Sequence, residues 1–272
     1  MTKCHLLLFC VLLALIPGCK RATGPSLSEI GARSEATQVA RFEQYAQELA
    51  SLPLREALLR QEEMMDEAER DSTRWREVTK LQDKFFMDPN SPYRNEEFYI
   101  PVATHLLTSP LASEEERNRA QWIMPRLHLN RLGTVAADIP FTLRDGRTTT
   151  LHATIDSRHP RQTLLFFSNP GCPNCKEITE ALAEDPVISE KIASGELLVV
   201  NIYPDEDLQA WLDYLPNYPA EWVSGHDADQ VLFSDTRYWL RAIPSLYLLD
   251  EEKRVVRKDA PLEQILIDCK QR

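Results

Sequence analysis

The segment Cys172–Cys175, which reads Cys-Pro-Asn-Cys, constrains the fold of this chain more than any other feature. It follows the apolar run Thr163–Phe167, which predicts a buried strand, and leads into residues 176–182, whose pattern predicts a helix. Two cysteines three positions apart at a helix start can close a disulfide ring and open it again. The unpaired N–H groups and positive dipole end of such a helix favour a thiolate on Cys172. This pattern is therefore typical of dithiol–disulfide exchange.

The N-terminus has the pattern of an export signal. Lys3 supplies a positive charge, and the eleven residues Leu6–Ile16 are all apolar, a run too short to span a bilayer. The motif that ends in a small residue directly before Cys19 resembles the cleavage motif of bacterial lipoproteins. We therefore expect residues 1–18 to be a signal peptide, Cys19 to be lipidated and residues 19–27 to tether the protein to a membrane. The alternative for the apolar run is an ordinary buried helix.

Charge and cysteine content narrow the function classes. The formal net charge is −11, and an acidic surface argues against nucleic-acid binding. Of the six cysteines, Cys4 and Cys10 would leave with the signal and Cys19 would carry lipid. An exported protein with so few remaining thiols is not a disulfide-stapled scaffold. Cys269 lies on the apolar face of a predicted helix, so we expect it to be a core residue rather than a third redox thiol.

Residues 28–132 predict a small helical bundle of four or five helices. Helix starts are indicated by Pro53 and by the capping-box sequence Ser113–Glu116, and Gly133 fits a helix end. We expect Pro125 to bend or interrupt the last helix.

From residue 133 to residue 272 the pattern changes to strands alternating with helices. An Asp-Gly turn at 145–146 predicts a hairpin between two short strands. Further elements are expected in the order strand, helix, strand, helix, strand, strand, helix, at 163–168, 173–184, 197–203, 205–214, 245–249, 255–256 and from about 261. Parallel strands joined by helices, with an antiparallel pair at one end of the sheet, describe an α/β domain.

This second half resembles the thiol–disulfide oxidoreductases of the thioredoxin superfamily, most closely the TlpA/ResA-like branch. The similarity spans Gly133–Asp268 and includes two separated motifs, Phe166–Lys176 around the cysteines and Ala242–Asp250. The resemblance implies a thioredoxin-like α/β domain, with a central mixed sheet flanked by helices. It also implies a cis-proline loop at Ile243-Pro244 that lies against the cysteines and presents its backbone to an extended substrate.

The family reaction gives the two cysteines separate roles. Cys172, nearest the helix end, would attack a substrate disulfide, and Cys175 would resolve the mixed disulfide. The expected substrate-binding residues lie on both motifs: Ile243, Pro244, Pro173 and Asn174. We expect no cofactor and no metal; the expected partners are protein thiols and disulfides and an upstream redox donor.

The first half resembles a helical domain of unknown function that precedes thioredoxin modules in gram-negative lipoproteins. The resemblance rests on Asp88–Glu97 and Asn130–Thr134 and implies no activity. This half would serve as a spacer, a dimerisation surface or a docking module. The expected location is the cell envelope, facing the periplasm, and Lys20 after the lipidated cysteine favours the outer membrane over the inner one.

Three features depart from the superfamily pattern. Gly171 precedes the first cysteine where tryptophan is common, and Ile178 replaces the acid that the ResA branch carries three residues after the second cysteine. The dipeptide between the cysteines is Pro-Asn rather than Gly-Pro, which leaves the reduction potential open between about −270 and −120 mV.

Alternatives to redox chemistry stay open from the sequence. An inert disulfide fits the same spacing, and a peroxiredoxin would need threonine where Asn169 stands. A zinc site would need about four ligands, drawn from Cys269 or from histidines without ligand spacing: 105, 128, 152, 159 and 226. The rival to an enzyme is a membrane-tethered binding or scaffold protein with a thioredoxin fold and no redox turnover. Three tryptophans could line a substrate groove but are more simply core: Trp211, Trp222 and Trp239.

Overall fold

The structure is a computed structural model that describes residues 34–234 and 237–271. The expected signal peptide, the tether at residues 19–27 and the lipidated Cys19 lie outside these residues. Within the part of the chain that is described, no helix is both long and apolar enough to cross a membrane.

The first half is helical throughout, as predicted. Its elements are α1 (Glu35–Ser51), α2 (Leu54–Ala68), α3 (Ser72–Gln82), a π-helical turn (Asp83–Met87), α4 (Glu96–Thr108) and α5 (Glu114–Leu127). The predicted capping box is present, because the Ser113 hydroxyl accepts from the Glu116 N–H while the Glu116 carboxylate accepts from the Ser113 N–H. Helix α5 continues through Pro125 and ends at Leu127, so this proline does not interrupt it.

One apolar core holds the helices together. Phe42, Trp75, Phe86 and Tyr99 are all at most 1% exposed, and the rings of Phe86 and Phe98 meet edge to face. Aromatic side chains of this size dominate the burial energy of a small bundle. The first half therefore has a hydrophobic core of its own.

The second half is a single mixed sheet with helices on both faces, which confirms the predicted fold. Its strands are β1 (Pro140–Leu143), β2 (Thr148–Thr150), β3 (Gln162–Phe167), β4 (Leu197–Tyr203), β5 (Val223–His226), β6 (Ser245–Asp250) and β7 (Val255–Arg257). Its helices are α6 (Leu151–Arg158), α7 (Pro173–Glu184), α8 (Pro186–Ser194), α9 (Leu208–Tyr214), a 3₁₀ turn (Leu215–Asn217), α10 (Val231–Ser234) and α11 (Leu262–Gln271).

The strand order in the sheet is β2-β1-β5-β4-β3-β6-β7. Strands β3, β4 and β5 are parallel, whereas β6 and β7 at one edge, and the β1–β2 hairpin at the other, pair antiparallel. Successive side chains of β3 enter opposite cores: Leu165 and Phe167 lie in one apolar cluster, and Leu164 and Phe166 lie in the other. This alternation follows from the two-residue period of a strand, and it places α7 and α11 against the second cluster.

Four elements of the second half were not predicted from the sequence: α6, α8, β5 and α10. Helix α9 begins at Leu208 rather than at the predicted residue 205. Trp211 and Trp222 are 1% and 4% exposed, as expected of core residues, and Cys269 is fully buried in the cluster that contains α11. Trp239 instead packs on the core of the first half, where it meets Trp122 edge to face at 6.0 Å.

Candidate active site

The two cysteines lie at the start of α7, five and eight residues after the end of β3. The chain leaves the sheet at Ser168 and turns through Gly171, whose φ of +75° is in the left-handed region. A residue with a Cβ, such as tryptophan, would be strained in this conformation. The backbone geometry therefore explains why glycine stands at position 171. Cys172 then caps α7, and Pro173 occupies the first turn, where a missing N–H costs no helical hydrogen bond.

The two sulfurs differ in exposure and in hydrogen bonding. Cys172 is partly exposed, and its Sγ accepts a hydrogen bond from the Cys175 N–H at 3.2 Å. Cys175, one helical turn on, is 3% exposed, and both residues are free thiols. A backbone N–H directed at a sulfur from a helix N-terminus is the geometry that stabilises negative charge on that sulfur.

Burial separates the second thiol from water and changes its acidity. Loss of hydration at this site, helped by the hydrogen bond and charge of Cys172, raises the pKa of Cys175 to about 12. Cys175 is therefore protonated at neutral pH, and Cys172 is the sulfur that an incoming disulfide can reach.

The loop containing Ile243 and Pro244 lies at the same end of the sheet as the cysteines. Ser245, the first residue of β6, pairs with Phe167, the last residue of β3, so the two connections begin side by side. The Ile243-Pro244 peptide bond is cis, and the Ile243 side chain packs on the apolar cluster that contains Cys175. Pro173 and Asn174 are exposed on the first turn of α7.

A buried polar chain lies behind the cysteines and was not foreseen from the sequence. The side-chain amide of Asn201 donates to the Ser168 hydroxyl at 2.6 Å, and that hydroxyl lies 2.8 Å from the Tyr218 hydroxyl. Tyr218 packs in the cluster that contains Cys175, and its burial raises its pKa to about 12, so it is a neutral phenol. The signal available in the sequence was one polar residue in or directly after each of two apolar runs: Ser168 after Thr163–Phe167, and Asn201 within Leu197–Tyr203.

Two further observations concern the surroundings of the cysteines. Ile178, noted above as a departure from the family pattern, packs against the apolar cluster around Cys175. In residues 34–234 and 237–271, no group of three or more histidine, cysteine or acidic side chains is placed to hold a metal ion.

Comparison with known proteins relates both halves to described families. Residues 28–130 match a family described as a domain of unknown function, DUF5106. A thioredoxin-like protein from Bacteroides caccae is 35% identical, with 90% of this chain and 87% of that chain covered and a TM-score of 0.78. No curated protein matches the chain.

Two more solved structures each cover about half of this chain. The C-terminal domain of an uncharacterized protein from Bacteroides fragilis is 41% identical over 52% of this chain and 97% of that chain, with a TM-score of 0.48. The thioredoxin domain of a thiol-disulfide oxidoreductase from Bacteroides vulgatus is 19% identical over 51% and 96% of the two chains, with a TM-score of 0.43. The similarity to the Bacteroides caccae protein extends through both halves, and on that ground the chain belongs to the thioredoxin-like proteins.

Proposed function

We propose that this protein is a thiol–disulfide oxidoreductase that uses Cys172 and Cys175 as a redox-active pair. The observation that carries the proposal is the asymmetry of the two sulfurs. Cys172 is accessible at a helix N-terminus, and Cys175 is buried one turn behind it with its amide directed at the Cys172 sulfur. Cys172 is thus placed to attack a substrate disulfide, and Cys175 is placed to resolve the mixed disulfide that forms.

The first step joins the enzyme to its substrate. The thiolate of Cys172 attacks one sulfur of a protein disulfide, the substrate S–S bond breaks, and the departing sulfur takes up a proton. The product is a mixed disulfide between Cys172 and the substrate, with Cys175 still a thiol.

The second step releases the substrate. Cys175 gives up its proton to solvent, and its thiolate attacks Sγ of Cys172. The mixed disulfide bond breaks, the departing substrate sulfur takes up a proton, and the substrate leaves as a dithiol. Two electrons have then passed from the cysteine pair to the substrate, and the pair has become a disulfide. An external dithiol donor restores the reduced pair, and the same steps in reverse oxidise a substrate dithiol.

The proposed setting is the periplasmic side of the cell envelope, with the outer membrane favoured. Residues 1–18 would be removed and the lipid on Cys19 would tether the protein, which would act on protein thiols and disulfides and receive electrons from an upstream donor. The support for this setting is the signal-like N-terminal sequence.

Reduction of insulin by dithiothreitol tests the activity. The wild-type chain should accelerate the precipitation of insulin, Cys172→Ser should abolish the acceleration, and Cys175→Ser should accumulate mixed disulfides. Cys269→Ser is the matched control, since this buried cysteine has no role in the mechanism and the variant should behave as wild type. Full activity of Cys172→Ser would refute the proposal, and an inactive wild type would favour a tethered scaffold instead.

A further inference from the structure

Five charged residues form a buried cluster where the two halves of the chain meet. Arg94 and Glu96 come from the first half, and Arg241, Lys258 and Asp259 from the second; their side chains are between 1% and 12% exposed. We call this set the interdomain charge cluster. Charges this deeply buried persist only when each has closely placed partners, so the cluster fixes the relative position of the groups it joins.

We call the loop at Ile243 and Pro244 the substrate loop. The carboxylate of Asp259 contacts the residues on either side of this dipeptide. One of its carboxylate oxygens, Oδ2, pairs with Nη2 of Arg241, two residues before Ile243. The other, Oδ1, accepts from the hydroxyl of Ser245, directly after Pro244, at 2.8 Å. The expected substrate-binding dipeptide is thus flanked by two side chains that share one carboxylate.

The first half in turn holds Arg241 and Asp259. Glu96 Oε1 lies 3.1 Å from Nε of Arg241, and the backbone carbonyl of Met87 accepts from Nη1 of the same guanidinium. Arg94 donates to the backbone carbonyl of Asp259 at 2.9 Å. The side chains of Arg241 and Ser245, which flank the loop at Ile243 and Pro244, are therefore each connected to the helical half through one or two hydrogen bonds.

Lys258 completes the link. Its ammonium group lies 2.6 Å from Glu96 Oε2 and donates to the backbone carbonyls of Leu127 and Leu129 at the end of the helical half. Glu96 is thus shared between Lys258 and Arg241, and removing its charge would leave two buried cations with one fewer partner each.

We propose that Glu96 and Arg94 of the helical half are positioning residues for the redox site: through Arg241 and Asp259 they hold the loop at Ile243 and Pro244 in place to receive an extended protein segment that carries the substrate disulfide. This inference rests on the proposed function and assigns the helical half a part in substrate binding. Positioning of this kind affects large substrates, which dock along the loop. It does not affect a small disulfide, which needs to reach only Cys172.

The test is Glu96→Gln in the full chain, which keeps the shape of the side chain and removes its charge. With insulin as substrate and dithiothreitol as reductant, KM should rise and kcat/KM should fall about 10- to 100-fold, because small displacements of docking groups have effects of this size. The rate at which Cys172 reacts with 5,5′-dithiobis(2-nitrobenzoate) and the reduction potential of the cysteine pair should stay at the wild-type values.

The matched control is Glu97→Gln. Glu97 is 2% exposed and pairs with Arg131 and the Leu132 N–H, outside the substrate loop, so its loss should be similarly destabilising without changing KM. An unchanged KM in Glu96→Gln, an equal rise in Glu97→Gln, or an equal loss of rate with the small disulfide would overturn the inference. Glu96→Asp serves if Glu96→Gln does not fold. It keeps the carboxylate but moves it away from Arg241 and Lys258, because the side chain is one methylene shorter, and it should show the same selective rise in KM. A wild-type chain that fails to reduce insulin would instead refute the proposed function.

Discussion

The buried thiol of Cys175 gives the second step of the proposed reaction a characteristic pH dependence. Only its thiolate can attack the mixed disulfide, so the rate of resolution should follow the ionised fraction of Cys175. Burial raises the pKa of this thiol to about 12, whereas an unperturbed cysteine has a pKa of about 8.5. A raised pKa means that ionisation, and therefore the rate, continues to increase at a pH where an ordinary thiol is already ionised.

The difference is large enough to measure. Between pH 8 and pH 10 the ionised fraction of a thiol with a pKa of about 12 rises about 100-fold, whereas that of a thiol with a pKa of about 8.5 rises only about fourfold. In the mixed disulfide Cys172 no longer bears a free thiol, which removes its contribution to the raised pKa. Burial, the largest cause, remains. The expected rise in rate is therefore well above fourfold and approaches 100-fold.

Stopped-flow reaction with excess 5,5′-dithiobis(2-nitrobenzoate) resolves the two steps. Attack by Cys172 releases one coloured thiolate in a phase that depends on reagent concentration. Attack by Cys175 then releases a second in a phase that does not. The experiment is best performed in Cys269→Ser, which removes the third thiol, and Cys175→Ser should lose the second phase. In denaturant the intramolecular phase should level off near pH 8.5, because the unfolded chain hydrates both sulfurs.

A second phase that levels off between pH 8 and pH 9 in the folded protein would refute this reasoning. It would show that Cys175 ionises as an exposed thiol does, or that a base not identified in the structure accepts its proton. A steady rise to pH 10 would agree with a buried thiol in an apolar cluster that includes Ile178.

Two further predictions concern the fold and the location. Gly225→Ala would place a Cβ only 2.3 Å from a ring carbon of Phe141, so it should lower the free energy of unfolding by about 1–3 kcal/mol in a denaturant titration; Phe141→Leu should recover part of that loss, and wild-type stability of the single variant would contradict the packing. In gram-negative cells supplied with labelled palmitate, the wild-type chain should incorporate label and Cys19→Ser should not; labelling of both would show that Cys19 is not the lipidated residue.

The parts of the fold that local sequence determines were predicted correctly. The runs Leu164–Phe167 in β3 and Leu197–Val200 in β4 are wholly apolar because helices cover both faces, and buried parallel strands favour such runs. The β1–β2 hairpin follows from its Asp-Gly turn, and α7 follows from the helical pattern of residues 176–182. The two cysteines were identified for the same reason, since their chemistry depends on a strand end and a helix start that are adjacent in the chain.

The parts that depend on neighbours distant in the sequence were missed. Strand β5 has only four residues, one of them Gly225, and it exists because β1 and β4 supply hydrogen bonds on both sides. Helix α8 follows α7 directly, with Asp185 as its cap, and it lies between residues 184 and 197, where the sequence analysis predicts no element. The polar chain of Asn201, Ser168 and Tyr218 joins residues up to 50 positions apart, and no local pattern connects them.

The interdomain charge cluster bears on the role of the helical half, which the sequence left open between a spacer, a dimerisation surface and a docking module. In sequence Arg94, Glu96 and Lys258 look like ordinary surface charges, and nothing local reveals that they are buried.

A spacer would meet its neighbour through a small and mostly polar contact. Here the hydrogen bonds of Lys258 and its ion pair with Glu96 all lead to the first half. Burying a lysine among groups of another domain is unfavourable unless those groups are always present, because an unpaired buried charge is strongly destabilising. The helical half is therefore a structural part of the thioredoxin-like half and not a detachable spacer.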